Sequence, residues 1–197
     1  MEFKYRGRGG YREGAGRPKK PGAGVPHRTR QELLGRHPVH VTVRVRDDAS
    51  KLRTKACFRA IAPALAGGRD RFGFRLVHFS VQSNHLHLVA EAENRTSLAR
   101  GMQGLGVRIA KALNRVLGRR GKVFADRYHA HVLRSAREVA NAVAYVLGNM
   151  RVHAARRGVR LHPEVVDPMS SEWERGVVVE PRTWLLRWGW LRVRPAG

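Results

Sequence analysis

Two hydrophobic rhythms alternate along this chain, one of period two and one close to 3.6. Val39-His40-Val41-Thr42-Val43-Arg44-Val45 alternates apolar with polar and is rich in β-branched residues, which predicts a strand with one buried face. Asp47-Asp48-Ala49-Ser50 offers a turn and a helix cap. A helix is expected over residues 51–66, with Cys57, Ile61 and Leu65 on one stripe, Gly67-Gly68 ending it and Pro63 shortening or kinking it. Residues 72–82 and 85–93 read as two strands joined by a tight turn at Ser83-Asn84. Asn94-Arg95-Thr96-Ser97 caps a second helix, striped by Leu98, Met102, Leu105, Ile109, Leu113 and Val116. Its Gly101, Gly104 and Gly106 would permit close backbone approach. Residues 123–133 form another extended segment. Ser135 then opens a third helix, with Glu138 completing a capping box and Val139, Val143, Val146, Leu147 and Met150 on the stripe. Strand, helix, strand, strand, helix, strand, helix predicts an α+β fold, a ferredoxin-like antiparallel sheet with helices packed on one face.

One stretch in this pattern is chemically unusual: Val81-Gln82-Ser83-Asn84-His85-Leu86-His87-Leu88-Val89. Strand alternation puts His85 and His87 on one face, and Leu86 and Leu88 on the other. Such a pair is as readily a hydrogen-bonded core feature as a site. A second feature tips the balance. On the third helix Tyr145 lies about 140° and Asn149 about 100° from the apolar stripe, so both are expected off the core and stacked on one flank. Two imidazoles and an amide oxygen make a three-ligand set for a divalent ion with open positions, and a neighbouring phenol is a nucleophile suited to phosphorus. Tyr128 is a rival nucleophile, but it lacks an amide at helical spacing. Glu91 shares the strand face of the histidines, yet sits roughly 13 Å beyond His87 and reads as a strand-end surface carboxylate. His40, His78, His129 and His131 read as structural or phosphate-contacting.

Charge narrows the partner. Lys and Arg total 39 against 15 acidic residues, a formal net charge of +24, which favours a polyanion, nucleic acid first. Residues 1–36 are Gly-, Arg-, Lys- and Pro-rich and predict a flexible basic arm. Within it, Gly16-Arg17-Pro18-Lys19-Lys20 resembles the Gly-Arg-Pro centre of an AT-hook, although a solvated tail adding phosphate affinity through Arg17, Lys19 and Lys20 is the commoner outcome. Cys57 is the only cysteine, so an internal disulfide and a thiolate-rich zinc site are excluded. No apolar run approaches the roughly 20 residues that span a bilayer, and the N-terminus lacks an apolar signal core, so a cytoplasmic protein without membrane contact is expected. Residues 161–197 form a C-terminal extension whose Trp-rich end, Trp184-Leu185-Leu186-Arg187-Trp188-Gly189-Trp190, is expected to pack on the domain or on a partner subunit.

Hydrophobic-His-hydrophobic-His followed by Tyr-x-x-x-Asn resembles the HUH-type single-tyrosine transposases, specifically the REP-associated tyrosine transposase branch. Ser83-Asn84-His85-Leu86-His87-Leu88 is similar to that family's Asn before paired histidines. Phe124-Ala125-Asp126-Arg127-Tyr128, Leu133-Arg134 and Tyr145-Val146-Leu147-Gly148-Asn149-Met150 are similar to its later motifs, Met150 replacing the usual Pro. The likeness runs from about His37 to Arg157, and residues 37–160 are read as the nuclease domain. It implies that His85, His87 and Asn149 hold Mg²⁺ or Mn²⁺, and that Tyr145 attacks single-stranded DNA near a hairpin. A 5′-phosphotyrosine and a free 3′-hydroxyl would result. Hairpin recognition would fall to basic surface that includes Arg119, Arg120 and Lys122 of the loop after the second helix, with Arg127, Arg134 and Arg156. Monomer or homodimer stays open, and so does whether the tyrosine serves its own histidines. The alternatives are a non-catalytic ferredoxin-like nucleic-acid-binding protein and an inactive transposase-derived regulator.

Overall fold

A computed structural model describes residues 32–162 and 164–193; Arg17, Lys19, Lys20 and most of the basic arm lie outside them. The strands are β1 (Val39–Arg44), β2 (Asp70–Arg71), β3 (Phe74–Val81), β4 (His85–Ala92) and β5 (His129–Val132). The helices are α1 (Lys55–Ala66), α2 (Arg95–Val116) and α3 (Ala136–Ala155). The sheet has the order β2-β3-β4-β1-β5 and every pairing is antiparallel. Leaving aside the two-residue β2, the connection β1-α1-β3-β4-α2-β5 is the expected ferredoxin-like α+β arrangement.

The helices, however, lie on both faces. Leu86, Leu88, Ala90 and Ala92 of β4 join the core built with α1 and α2, whereas Val89 joins Val77, Leu133 and the α3 residues Val139, Val143 and Val146. The expectation of one covered face is corrected for α3. A central strand apolar on both sides must be covered on both, and α3 supplies the second layer. A register shift between Leu76 and His78 resets the alternation of β3, so that Phe74, Leu76, Phe79 and Val81 all face α1 and α2 while Val77 faces α3.

Local chemistry sets the element ends. The first helix begins later than expected because Thr54, not Ser50, is its cap, accepting from Cys57 N–H at 3.2 Å. Asp47–Ala49 forms a separate 3-10 turn and Lys51 adopts a positive φ of 71°. Pro63 sits inside α1, which ends three residues later. Asn94 caps α2 through Ser97 N–H, and Ser135 with Glu138 forms the expected capping box of α3. Gly101 lets α2 approach the sheet: a Cβ there would stand 2.2 Å from Phe74 Cγ.

Residues 164–193 fold back onto the domain, one of the two placements expected for the Trp-rich end. Beyond the short β2, the outer edge of β3 is covered by this segment, through Val81 N–H to Met169 O at 2.9 Å, Ser171 N–H to Phe79 O at 3.0 Å and Val179 N–H to Leu76 O at 3.0 Å. Covering an edge removes a template for unwanted pairing. Arg53 forks onto the fully buried Asp167 at 2.8 and 2.9 Å, and Leu186 enters the α3 cluster. Among the described residues no helix is long and apolar enough to cross a membrane.

Candidate active site

β4 delivers His85 and His87 to the face covered by α3, as alternation requires. Their Nε2 atoms meet at 2.9 Å, and the rings stand nearly perpendicular with centroids 4.6 Å apart. Each imidazole is steered through its other nitrogen. His85 Nδ1 lies 2.7 Å from Asn84 Oδ1, an oxygen that can only accept, so Nδ1 carries the proton and Nε2 presents its lone pair. The contact between the two Nε2 atoms then places a proton on His87 Nε2. His87 Nδ1 lies 3.2 Å from both Thr42 Oγ1 and His40 Nε2. A hydroxyl donates or accepts, so His87 can move its proton to Nδ1 and free Nε2 while keeping this bond.

Thr42 and His40 were not read as site residues from the sequence. They arrive because β1 pairs with β4 in the register Thr42 opposite His87 and His40 opposite Val89. The alternation of β1 puts both on one face, but which face meets the histidines depends on that pairing.

The electrostatics keep these rings neutral. Burial, followed by the charges of His85, His40 and His153, lowers the His87 pKa to about 3. Burial, with His131 and His129, lowers His40 to about 4, and burial, then His153 and Arg44, lowers His85. A neutral imidazole is the form that ligates a cation. His153 is a third residue not singled out in the sequence, although its spacing of four from Asn149 and eight from Tyr145 is visible there.

α3 brings the other two groups. Tyr145 is 47% exposed and stands edge-on to His87 and His40, with centroids 5.0 and 5.9 Å apart. All of this lies within one chain. Asn149, expected off the core, is buried, because the arc of α3 facing the sheet is wider than its apolar stripe. Its Nδ2 is buried without a hydrogen-bond partner. An unsatisfied buried amide is costly and marks a group held for something other than stability. Among the described residues no three His, Cys, Asp or Glu side chains gather as a metal site.

Residues 36–149, a stretch containing all four of these side chains, match the family model described as transposase IS200 like. The chain belongs to the IS200-like transposase family. A solved REP-associated tyrosine transposase bound to a REP hairpin shares the fold at a TM-score of 0.55, with 16% identity over 81% of this chain and 93% of that one. A putative transposase from Deinococcus radiodurans aligns at a TM-score of 0.42, with 10% identity over 71% of this chain and 99% of that one. No curated protein matches the sequence.

In this member of the transposase family the remaining expected residues are dispersed. Tyr128 packs against the core on the α2 side and lines an apolar cleft with Phe124, so the sheet separates it from the histidines. Glu91 is not a surface group: it is buried and accepts the N–H groups of Arg182 and Thr183 at 2.7–3.0 Å. Arg119 bridges Asp48 Oδ2 and Lys122 O, both at 2.9 Å, while Arg120 and Lys122 are exposed on the same loop. Arg127, Arg134 and Arg156 are exposed, the last at the C-terminal cap of α3.

Proposed function

We propose that this family member is a metal-dependent single-stranded DNA transesterase that cleaves and rejoins DNA beside hairpins, as a transposase. The observation carrying this reading is the convergence of His85 and His87 at 2.9 Å, with the exposed Tyr145 ring 5.0 Å from His87 in the same chain. Tyr145 Oη attacks the scissile phosphorus and the bond to O3′ breaks. A 5′-phosphotyrosine forms, the phenolic proton goes to solvent, and the departing oxygen takes up a proton as a free 3′-hydroxyl. Because the phosphoester is conserved, a second 3′-hydroxyl can reverse the step or transfer the strand.

His85, His87 and Asn149 are the residues that would hold Mg²⁺ or Mn²⁺. Such an ion, once held there, would supply charge neutralisation at the scissile phosphate. Asn84, Thr42 and His40 orient the imidazoles so that their ε-nitrogens stay directed at one point. The fit is supported by the neutral rings and by the two ε-nitrogens meeting at 2.9 Å.

End-labelled single-stranded hairpin DNA, incubated with Mn²⁺ or Mg²⁺ and run on a denaturing gel, tests the reading. Wild-type protein should give a retarded covalent band that disappears in EDTA. Tyr145→Phe should give none while binding the hairpin within about twofold of wild type. An undiminished band in that variant would remove Tyr145 as the nucleophile.

A further inference from the structure

A groove of about 530 Å³ lies at one end of the sheet, where the start of β1, the segment before α3 and the returning C-terminal segment meet. Arg36, His37, Arg134, Arg182, Trp184 and Leu185 line it, and no carboxylate does. Arg36 and Arg182 are exposed and make no ion pair among the described residues.

Trp184 is 56% exposed yet held in place. Gly189 abuts its six-membered ring so closely that a Cβ would stand 2.6 Å from Cζ3, and the Arg192 guanidinium lies 5.8 Å from the ring centroid. The backbone at Arg182 and Thr183 is fastened to the buried Glu91 carboxylate, which fixes the groove to β4. Glu91 lies on the strand face of the histidines, about 13 Å beyond His87. A positioned indole beside guanidinium groups suits an unpaired nucleic-acid strand, since every base offers a π-face and every nucleotide a negative charge.

We propose that this groove binds the unpaired DNA strand flanking the hairpin, one base stacking on Trp184 while Arg36, Arg134 and Arg182 neutralise its phosphates. The inference rests on the single-stranded DNA reading of the histidine site and adds to it a second point of strand capture on the same molecule. Charge complementarity and the rigid aromatic platform select this occupant over an apolar peptide.

The test is fluorescence anisotropy of full-length protein in EDTA, where no cleavage competes, with a blunt hairpin and the same hairpin carrying a short unpaired thymidine extension. Trp184→Ala should weaken binding of the extended DNA by about tenfold and leave the blunt hairpin unchanged, and Trp184→Phe should restore most of the loss. Trp188→Ala, which removes an exposed ring outside the groove, should change neither. If Trp184→Ala fails to fold, Arg182→Gln serves: it should lower affinity for the extended DNA only and reduce its salt slope by about one. Equal binding of the extended DNA by wild type and Trp184→Ala overturns the inference. So does equal loss on both DNAs, and so does tighter capture of an RNA extension than of DNA. Because this readout needs neither metal nor Tyr145, wild-type protein that binds the extended and blunt DNAs alike, with its covalent band intact, defeats only the groove. Loss of the band with selectivity intact defeats only the nucleophile.

Discussion

Asn149 and His87 are polar side chains kept in places where burial disfavours them. A buried amide N–H without a partner, as at Asn149 Nδ2, costs about 1–3 kcal/mol, and an apolar replacement of similar volume removes that cost. Asn149→Leu should therefore raise the urea midpoint, by about 1 kcal/mol in stability, while reducing metal-dependent adduct at least tenfold. A variant less stable than wild type would mean that the amide is structural. His78 offers a separate test of burial, because it lies on β3 and is none of the proposed ligands. Burial lowers its pKa from 6.5 to about 4. Between those values the unfolded chain binds a proton that the folded chain refuses, so stability is full above pH 6.5 and falls as the pH drops toward 4. The loss should reach on the order of 3 kcal/mol, and His78→Gln should flatten this part of the profile in urea titrations at successive pH values. An unchanged slope in the variant would assign the loss to other groups.

At the scale of elements, two helices matter for different reasons. α3 presents Tyr145 and Asn149 four residues apart, and its capping box fixes where that spacing begins. α2 matters through its closeness to the sheet, which only a residue without Cβ allows at position 101. Phe74, on the other side of the contact, is fully buried and has no room to retreat. Gly101→Ala should cost about 1–3 kcal/mol through overpacking. Gly104→Ala, with nothing within 4 Å of its added Cβ, should gain up to about 1 kcal/mol from helix propensity. Equal urea midpoints for the two variants would refute the close approach.

At the scale of the whole molecule, long-range ties fasten the returning C-terminal segment to the domain. Arg53 to Asp167 fastens the returning segment near β3, and Glu91 fastens it near β4. Removing the Glu91 carboxylate leaves the N–H groups of Arg182 and Thr183 without their acceptor. Glu91→Ala should destabilise the protein by about 2–4 kcal/mol and speed tryptic cleavage around Arg182 and Arg187 before the core is cut. Cleavage at the wild-type rate would show that Leu186 packing alone retains the segment.

The elements were legible because their causes are local. Alternation in Val39–Arg44, the striping of Leu98 through Leu113 and the Ser135/Glu138 box all act within a few residues. So was the pairing of His85 with His87 on one strand face and of Tyr145 with Asn149 at helical spacing, although Asn149 proved buried and not off the core. What tertiary structure alone decided is which faces meet. The strand order and register carried His40 and Thr42 to His87, placed α3 over the histidines and turned Tyr128 to the opposite side. Glu91 became an internal anchor for the same reason, because the N–H donors that its carboxylate accepts from lie about ninety residues away in sequence. Pairing between distant segments depends on the free energy of the entire assembled core, and no window of neighbouring residues contains that quantity.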